Sequence, residues 1–390
     1  MRIAVLAVAT NIHTRRWVNA LAERHHTVVL ITQQPPLEGD YPRSVEIEVL
    51  PFKGPLAYVL NAPILRRIFR RSKADLLHVH YAGGYGTTVL LSGIKDYLIS
   101  VWGGDVYDVP DRSSLHRLLV VLALKRAGRI TSTSHVMAEQ VKRLGVRRGI
   151  DVVPFGVDTT NFTPLPGPPK SARLVVGTVK TLKSKYGIDT LIAGFAEALN
   201  DPGFSALDPV LQIYGEGPEH GEYLELSARL GIQSRVEFAG HIRHEQVPAA
   251  LQKFDIYVAV SRDDSESFGV AIIEASACAL PVVVSDAGGL PEVVEDGVTG
   301  FVIPRNDPSR LSFMLRKLGA DQGLRMALGA AGRARVADRY EWADCVEQMI
   351  AIYGEVAASR ASNSDASSRA REATGEQPTR FRQELPVPKG

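Results

Sequence analysis

The 390-residue chain is 45% hydrophobic and 23% charged, a balance that builds buried cores, excludes a wholly disordered polypeptide and favours two domains over one. Its formal net charge of +2 conceals an asymmetry, with 21 basic against 13 acidic residues in 1–160 and 18 against 25 in 161–354; that pattern bears on partners, not on fold. Two cysteines without a spacing motif, Cys278 and Cys345, argue against a disulfide framework or a zinc site and for a reducing, cytoplasmic setting.

The opening run Ile3 to Val8 reads as a buried first strand and not as a signal peptide, because it passes into Asn11, His13 and Arg15 without a small-residue cleavage site. Short apolar runs then alternate with helix-period segments, which predicts consecutive βα units feeding parallel sheets. One series comprises Ile3 to Val8, Val28 to Thr32, Leu76 to Val79, Leu98 to Val101, Ile130 to Ser134 and Val152 to Val153. A second comprises Leu174 to Val179, Val210 to Tyr214, Val236 to Phe238, Ile256 to Val260, Val282 to Val284 and Phe301 to Ile303. Thr163 to Pro169 holds four prolines and suits a hinge. No run approaches the ~20 apolar residues of a spanning helix.

Two open α/β sheets joined by a hinge direct their loops at a shared cleft, where ligands of such folds bind. Asn11 to Trp17 lies between the first strand and the first helix. There Asn11, His13, Arg15 and Arg16 are candidates for a phosphate or an acceptor, with a polar helix start as the alternative. His80 ends a strand before Gly83, Gly84 and Gly86, which permit close backbone approach, so it is a candidate catalytic group or a structural histidine. Lys180, Lys183 and Lys185 follow a strand and supply the positive charge that a diphosphate needs.

The stretch Ser261 to Ala275 follows a strand and opens a helix that Ser265 or Ser267 can cap. If all of it is helical, Glu266 and Glu274 stand ~12 Å apart along the axis. A hydrolytic carboxylate pair spans ~5 to 9.5 Å, so these two suit opposite ends of one elongated ligand, the alternative being two solvated glutamates. A nucleotide sugar fits, with one carboxylate on sugar hydroxyls and the other on the ribose diol. No Asp-x-Asp metal motif occurs, and Asp263-Asp264 is a weak substitute. The expectation is therefore that lysines and a helix N-terminus neutralise the diphosphate with no metal and no cofactor.

Glu266-Ser267-Phe268-Gly269 with Glu274, followed by Gly288-Gly289-Leu290-Pro291-Glu292 and Asp296-Gly297-Val298-Thr299-Gly300, resembles the Glu-x7-Glu pattern of family-four glycosyltransferases of the GT-B fold. Gly156-Val157-Asp158 with Phe162, and Gly215-Glu216-Gly217-Pro218, are similar to two further motifs of that family. The resemblance covers about residues 1–356. It implies two Rossmann-like doubly wound domains facing across a cleft, with a C-terminal helix crossing back to the first. The expected parts are an acceptor-side domain at 1–162, a hinge at 163–170, a donor-side domain at 171–338, the crossing helix at 339–356 and a disordered tail at 357–390. The helix begins near Trp342, a core residue on this reading, and ends near Tyr353.

The resemblance also implies transfer with retention of configuration from a UDP- or GDP-type sugar to a glycan, lipid-linked or small hydroxyl acceptor. Glu266, Lys180, Lys185, Asp105 and His80 are then the catalytic candidates. Glu274, Ser267, Phe268, Gly269, Lys183, Gly215 and Gly217 are the donor-binding ones. Val101-Trp102-Gly103-Gly104-Asp105 departs from the family's His-Gly-x-Asp, with Trp102 where the histidine stands. A GT-B epimerase or a non-catalytic nucleotide-sugar-binding protein is the alternative. The basic stretches Leu65 to Lys73 and Leu115 to Arg126 suit an anionic membrane, on the inner face of the cell membrane, or are ordinary solvated helices. Without interleaved aromatics they do not suit nucleic acid.

Overall fold

The computed structural model describes residues 1–165 and 173–374, with 361–374 as backbone alone. In the first half the apolar runs form β1 (Arg2–Leu6), β2 (Thr27–Thr32), β3 (Glu46–Val49), β4 (Leu76–His80), β5 (Leu98–Val101), β6 (Arg129–Ser132) and β7 (Asp151–Val152). In the second half they form β8 (Val175–Val179), β9 (Val210–Tyr214), β10 (Val236–Gly240), β11 (Ile256–Ala259), β12 (Val282–Ser285) and β13 (Gly300–Ile303). The sheets run β3-β2-β1-β4-β5-β6-β7 and β10-β9-β8-β11-β12-β13, and every pairing is parallel. Their inner strands are buried on both faces, as the continuous Val, Ile and Leu runs require. These are two Rossmann-like doubly wound sheets, as expected. The order reverses between β1 and β4 in one and between β8 and β11 in the other, and the loops after those strands lie where such folds bind ligands.

Edge strand β3 has no counterpart in the sequence reading. Glu-Ile-Glu-Val leaves Ile47 and Val49 exposed at 40% and 45% and lacks the apolar run that marks the inner strands.

Each sheet has a core on both faces. The chain passes between the domains twice at one point, where Val157 N donates to Tyr340 O at 2.8 Å and Trp342 N donates to Val157 O at 2.9 Å. Beyond that crossing, Cys345, Val346, Met349, Ile352, Tyr353 and Val356 pack into the first domain with Ile3, Val5, Trp17 and Leu21. Trp342 lies against Trp17 with ring centroids 4.8 Å apart, beneath the Arg16 guanidinium. The helix does not stop near Tyr353 but runs Trp342–Thr374, so the tail expected to be disordered from 357 is helical to 374. The physical reason is that 357–374 is rich in Ala, carries three Arg and holds no Gly or Pro; scarcity of large apolar residues removes a core but not helix propensity. Residues 375–390 of that expectation, and 166–170 of the expected hinge, lie outside the described residues.

Candidate functional site

Between the sheets lies a cleft of about 970 Å³. From the second domain, the loop after β8 brings Lys180, Lys185 and Tyr186 to it. Lys180 Nζ lies 3.0 Å from Glu266 Oε1 and 4.7 Å from the centre of the Tyr186 ring. Burial opposes the ammonium charge, but Glu266, Tyr257 and Tyr186 together more than offset it, and the Lys180 pKa stands above its usual range. The loop's path is set by the glycine turn after β9. Leu182 N donates to Glu216 O at 3.0 Å, and a Cβ on Gly215 or Gly217 would overlap the Lys180 or Leu182 carbonyl. From the other side, Arg262 N donates to Lys185 O at 2.8 Å, and its guanidinium holds Asp189, Thr190 and Asn306.

After β11 the chain does not enter a helix at once. Residues 260–269 are irregular and only Val270–Ala277 is helical, so Glu266 sits on a loop and Glu274 on the helix, and the helical 12 Å separation does not apply. Neither Ser265 nor Ser267 caps the helix. Gly269, at φ +94°, occupies the cap position without a side-chain bond, and Val270 and Ala271 line the cleft. Gly288 and Gly289 support the loop from below, with Gly289 N donating to Glu266 O at 2.9 Å. Ser267 Oγ donates to Trp102 O of the first domain at 3.3 Å, and Phe268 packs edge-on against Phe155. Glu274 Oε1 lies 2.9 Å from His244 Nε2. Of the weak acidic pair, Asp264 is held by Arg305 at 2.9 Å and by Gly288 N at 3.2 Å. Among the described residues no group of three or more His, Cys, Asp or Glu side chains could hold a metal.

The first domain contributes His13, Arg15, Arg16 and Trp102. His13 stacks on Phe155 with centroids 4.0 Å apart. Burial, then Arg16 and His244, lower its pKa to about 3, so the ring is neutral. Arg15 pairs with Asp40 at 3.0 Å and reaches across the cleft to Glu245 at 3.3 Å. Arg16 donates to Gly156 O at 3.2 Å.

Of the residues singled out from sequence, Glu266, Glu274, Lys180, Lys185, Ser267, Phe268, Gly269, Gly215, His13, Arg15 and Arg16 line the cleft together. Five do not. Asn11 is the cap of the first helix, accepting from His13 N and Thr14 N. Lys183 is exposed outside the cleft, and Gly217 is buttress, not lining. His80 is buried behind Trp102, against His78 and Thr14, where desolvation drives its pKa well down. Asp105 is fully buried and accepts from Ala82 N, Trp102 N and Gly103 N at 2.7, 3.0 and 2.9 Å. Burial raises its pKa to about 6 against those bonds. It ties the loop carrying Trp102 to the end of β4 and faces no open space. The sequence reading passes over His241, Arg243 and His244 after β10. Their signal is a basic cluster directly after a strand and Gly240, the pattern that marks the lysine loop.

A family model described as Glycosyl transferases group 1 matches residues 166–335, and one described as Glycosyl transferase 4-like matches residues 2–134. N-acetyl-alpha-D-glucosaminyl L-malate synthase of Bacillus anthracis is 26% identical over 358 residues, 86% of this chain and 91% of that protein. GDP-mannose-dependent alpha-(1-6)-phosphatidylinositol monomannoside mannosyltransferase of Mycolicibacterium smegmatis is 32% identical over 213 residues, 51% and 54% of the two chains. Among solved structures, sucrose-phosphate synthase from Thermosynechococcus elongatus has a TM-score of 0.78 at 22% identity, over 92% of this chain and 100% of that one. Anabaena Alr3699/HepE in complex with UDP has a TM-score of 0.77 at 20% identity, over 91% and 100%. Likeness at such identities speaks for the fold, two Rossmann-like domains facing across a cleft.

Proposed function

The chain belongs to the glycosyl transferases of group 1, with a front half of the glycosyl transferase 4-like kind, and from that premise we propose that it transfers a sugar, with retention of configuration and without a divalent ion, from a nucleoside diphosphate to a hydroxyl acceptor. The observation that carries this reading is the convergence in one cleft of Lys180, Lys185, Glu266, Glu274 and the uncapped start of the helix Val270–Ala277. Glu274 exchanges its His244 partner for the ribose diol. Lys180, Lys185 and the amides of Val270 and Ala271 take the diphosphate, through ammonium charge and the positive end of a helix. Glu266, held by Lys180, accepts from hydroxyls of the sugar.

In the transfer step the bond from the anomeric carbon to the diphosphate oxygen breaks as the acceptor oxygen bonds to the same face. The acceptor proton passes to the departing phosphate. The protein supplies position and charge, its donors fixed before the reaction begins. His13, Arg15 and Trp102 form the opposite wall, where the acceptor enters.

A lipid-linked acceptor is supported by the outer face of the first domain. Leu91, Leu115, Leu118 and Leu122 are exposed there on two neighbouring helices, and Leu56 just before a third, amid exposed Arg66, Arg67, Arg117, Lys125 and Arg126. That combination suits shallow insertion at an anionic surface. A relative is named for a phosphatidylinositol monomannoside acceptor, and a neighbouring structure holds UDP.

The experiment is a thermal-shift screen over UDP and GDP sugars. A ligand at 100 times its Kd stabilises by about 2.7 kcal/mol, so a true donor raises the melting temperature and an unrelated one does not. A flat response to every nucleotide sugar would sink the reading.

A further inference from the structure

Away from the cleft, the two domains meet at a carboxylate seated on bare main-chain amides. The helix His135–Arg143 of the first domain follows β6, and its cap, Ser134, accepts from Met137 N. That leaves the amides of His135 and Val136, at the positive end of the helix, without a partner from their own domain. Glu292 of the second domain supplies it, Oε2 accepting from His135 N at 2.9 Å and Oε1 from Val136 N. Its main chain is clamped as well, since Arg335 and the Tyr340 hydroxyl donate to the Glu292 carbonyl at 3.1 and 3.4 Å.

Glu292 does not line the cleft; it borders a separate cavity of about 1200 Å³ behind it. Its link to the cleft is the four-residue helix Leu290–Val293 and the two glycines before it. Gly289 N donates to Glu266 O, Gly288 N donates to Asp264, and a Cβ on Gly289 would overlap the Ser267 carbonyl. The loop bearing Glu266 is thus gripped by the first domain at two places, directly by the Ser267 to Trp102 bond and indirectly through Glu292.

We infer that Glu292 is a positioning residue for transfer. When the domains close, its carboxylate docks on the start of the helix His135–Arg143, and the diglycine passes that docking to Glu266. Interfaces between domains of one chain are mobile by default, and a charge-assisted pair of hydrogen bonds has the strength and direction to select one arrangement. The inference rests on the transferase reading, because the consequence of docking is read in sugar transfer.

The test compares wild type with Glu292→Ala and Glu292→Gln, using UDP and GDP as binding probes and UDP-glucose and GDP-mannose hydrolysis as the reaction. Glutamine keeps the shape but can accept only one of the two bonds. Glu292→Ala should bind nucleotide within about twofold of wild type yet hydrolyse donor roughly tenfold more slowly, with Glu292→Gln between, because position and not affinity is lost. Its melting temperature should stay within a few degrees, and small-angle scattering should show a wider molecule. Unchanged hydrolysis and scattering in Glu292→Ala would overturn the inference. So would a loss of nucleotide binding in step with melting temperature, which marks a merely structural contact. If wild type itself neither binds nor hydrolyses these probes, the transferase reading fails instead, and the scattering of the two free proteins still decides whether Glu292 holds the domains together.

Discussion

Lys180 keeps its charge in a place where burial works against it, because Glu266 stands 3.0 Å away. On the proposed reading, a diphosphate entering the cleft would give that ammonium two anionic neighbours, and the transition state, which loads charge onto the leaving phosphate, would gain most from it. Lys180→Met should therefore lower kcat/KM by about 10²–10³, the cost of removing one preorganised donor from a developing anion. Lys180→Arg should recover part of it, and initial rates with the donor that stabilises the protein measure both. A second residue-scale consequence concerns acid. His78 is fully buried between Tyr353 and Ser100, and burial lowers its pKa to about 3. A depressed folded pKa means that the unfolded chain takes up the proton first. The stability from keeping His78 neutral is thus complete above pH 6.5 and erodes as pH falls towards about 3. Melting curves from pH 7 to 4 should fall less steeply for His78→Gln than for wild type.

At the scale of elements, the cleft is built from strand-end loops wedged against one another through glycine. Gly289→Ala would press a methyl into the Ser267 carbonyl, moving the loop that bears Glu266. It should cost about 1–3 kcal/mol, as overpacking does, and weaken nucleotide binding. Gly221→Ala, on the helix His220–Arg229 with open space around it, should be neutral or gain up to ~1 kcal/mol from helix propensity. Denaturant midpoints separate the two. The same contrast explains what the sequence made legible. Val282 to Val284 and Ile256 to Val260 announce themselves because a strand covered on both faces must be apolar throughout. Glu-Ile-Glu-Val at the sheet edge has no such obligation. Glu266, Glu274, Lys180 and Lys185, which line the cleft, were legible as cleft candidates because charge beside a strand end has few other uses. Asp105 and His80 looked equally chemical, and only coordinates reveal that Asp105 spends its carboxylate on three amides and that His80 lies behind Trp102. His244 carries a sequence signal, the basic cluster after β10, but its pairing with Glu274 does not, since that partner lies thirty positions away in the chain.

At the scale of the whole molecule, 21 basic against 13 acidic residues in 1–160 and 18 against 25 in 161–354 give the two halves of the chain opposite net charge. On the membrane reading proposed above, the chain would approach an anionic bilayer with its first domain leading, and a lipid-linked acceptor would then be met by the wall formed by His13, Arg15 and Trp102. Each Lys or Arg near a charged surface is worth about 1 kcal/mol and decays within a Debye length. Exposed Leu115 and Leu118, at 62% and 52% of full exposure, add an apolar component that salt does not screen. The expected outcome is sedimentation with vesicles containing phosphatidylserine at low salt, little with phosphatidylcholine alone, and partial release at high salt. Leu118→Glu should make the release complete while leaving the nucleotide-induced rise in melting temperature unchanged, because the helix Ser114–Arg126 borders neither the lysine loop nor Glu274. Equal sedimentation with both lipids, or none with either, would show that the charge asymmetry serves something other than a membrane.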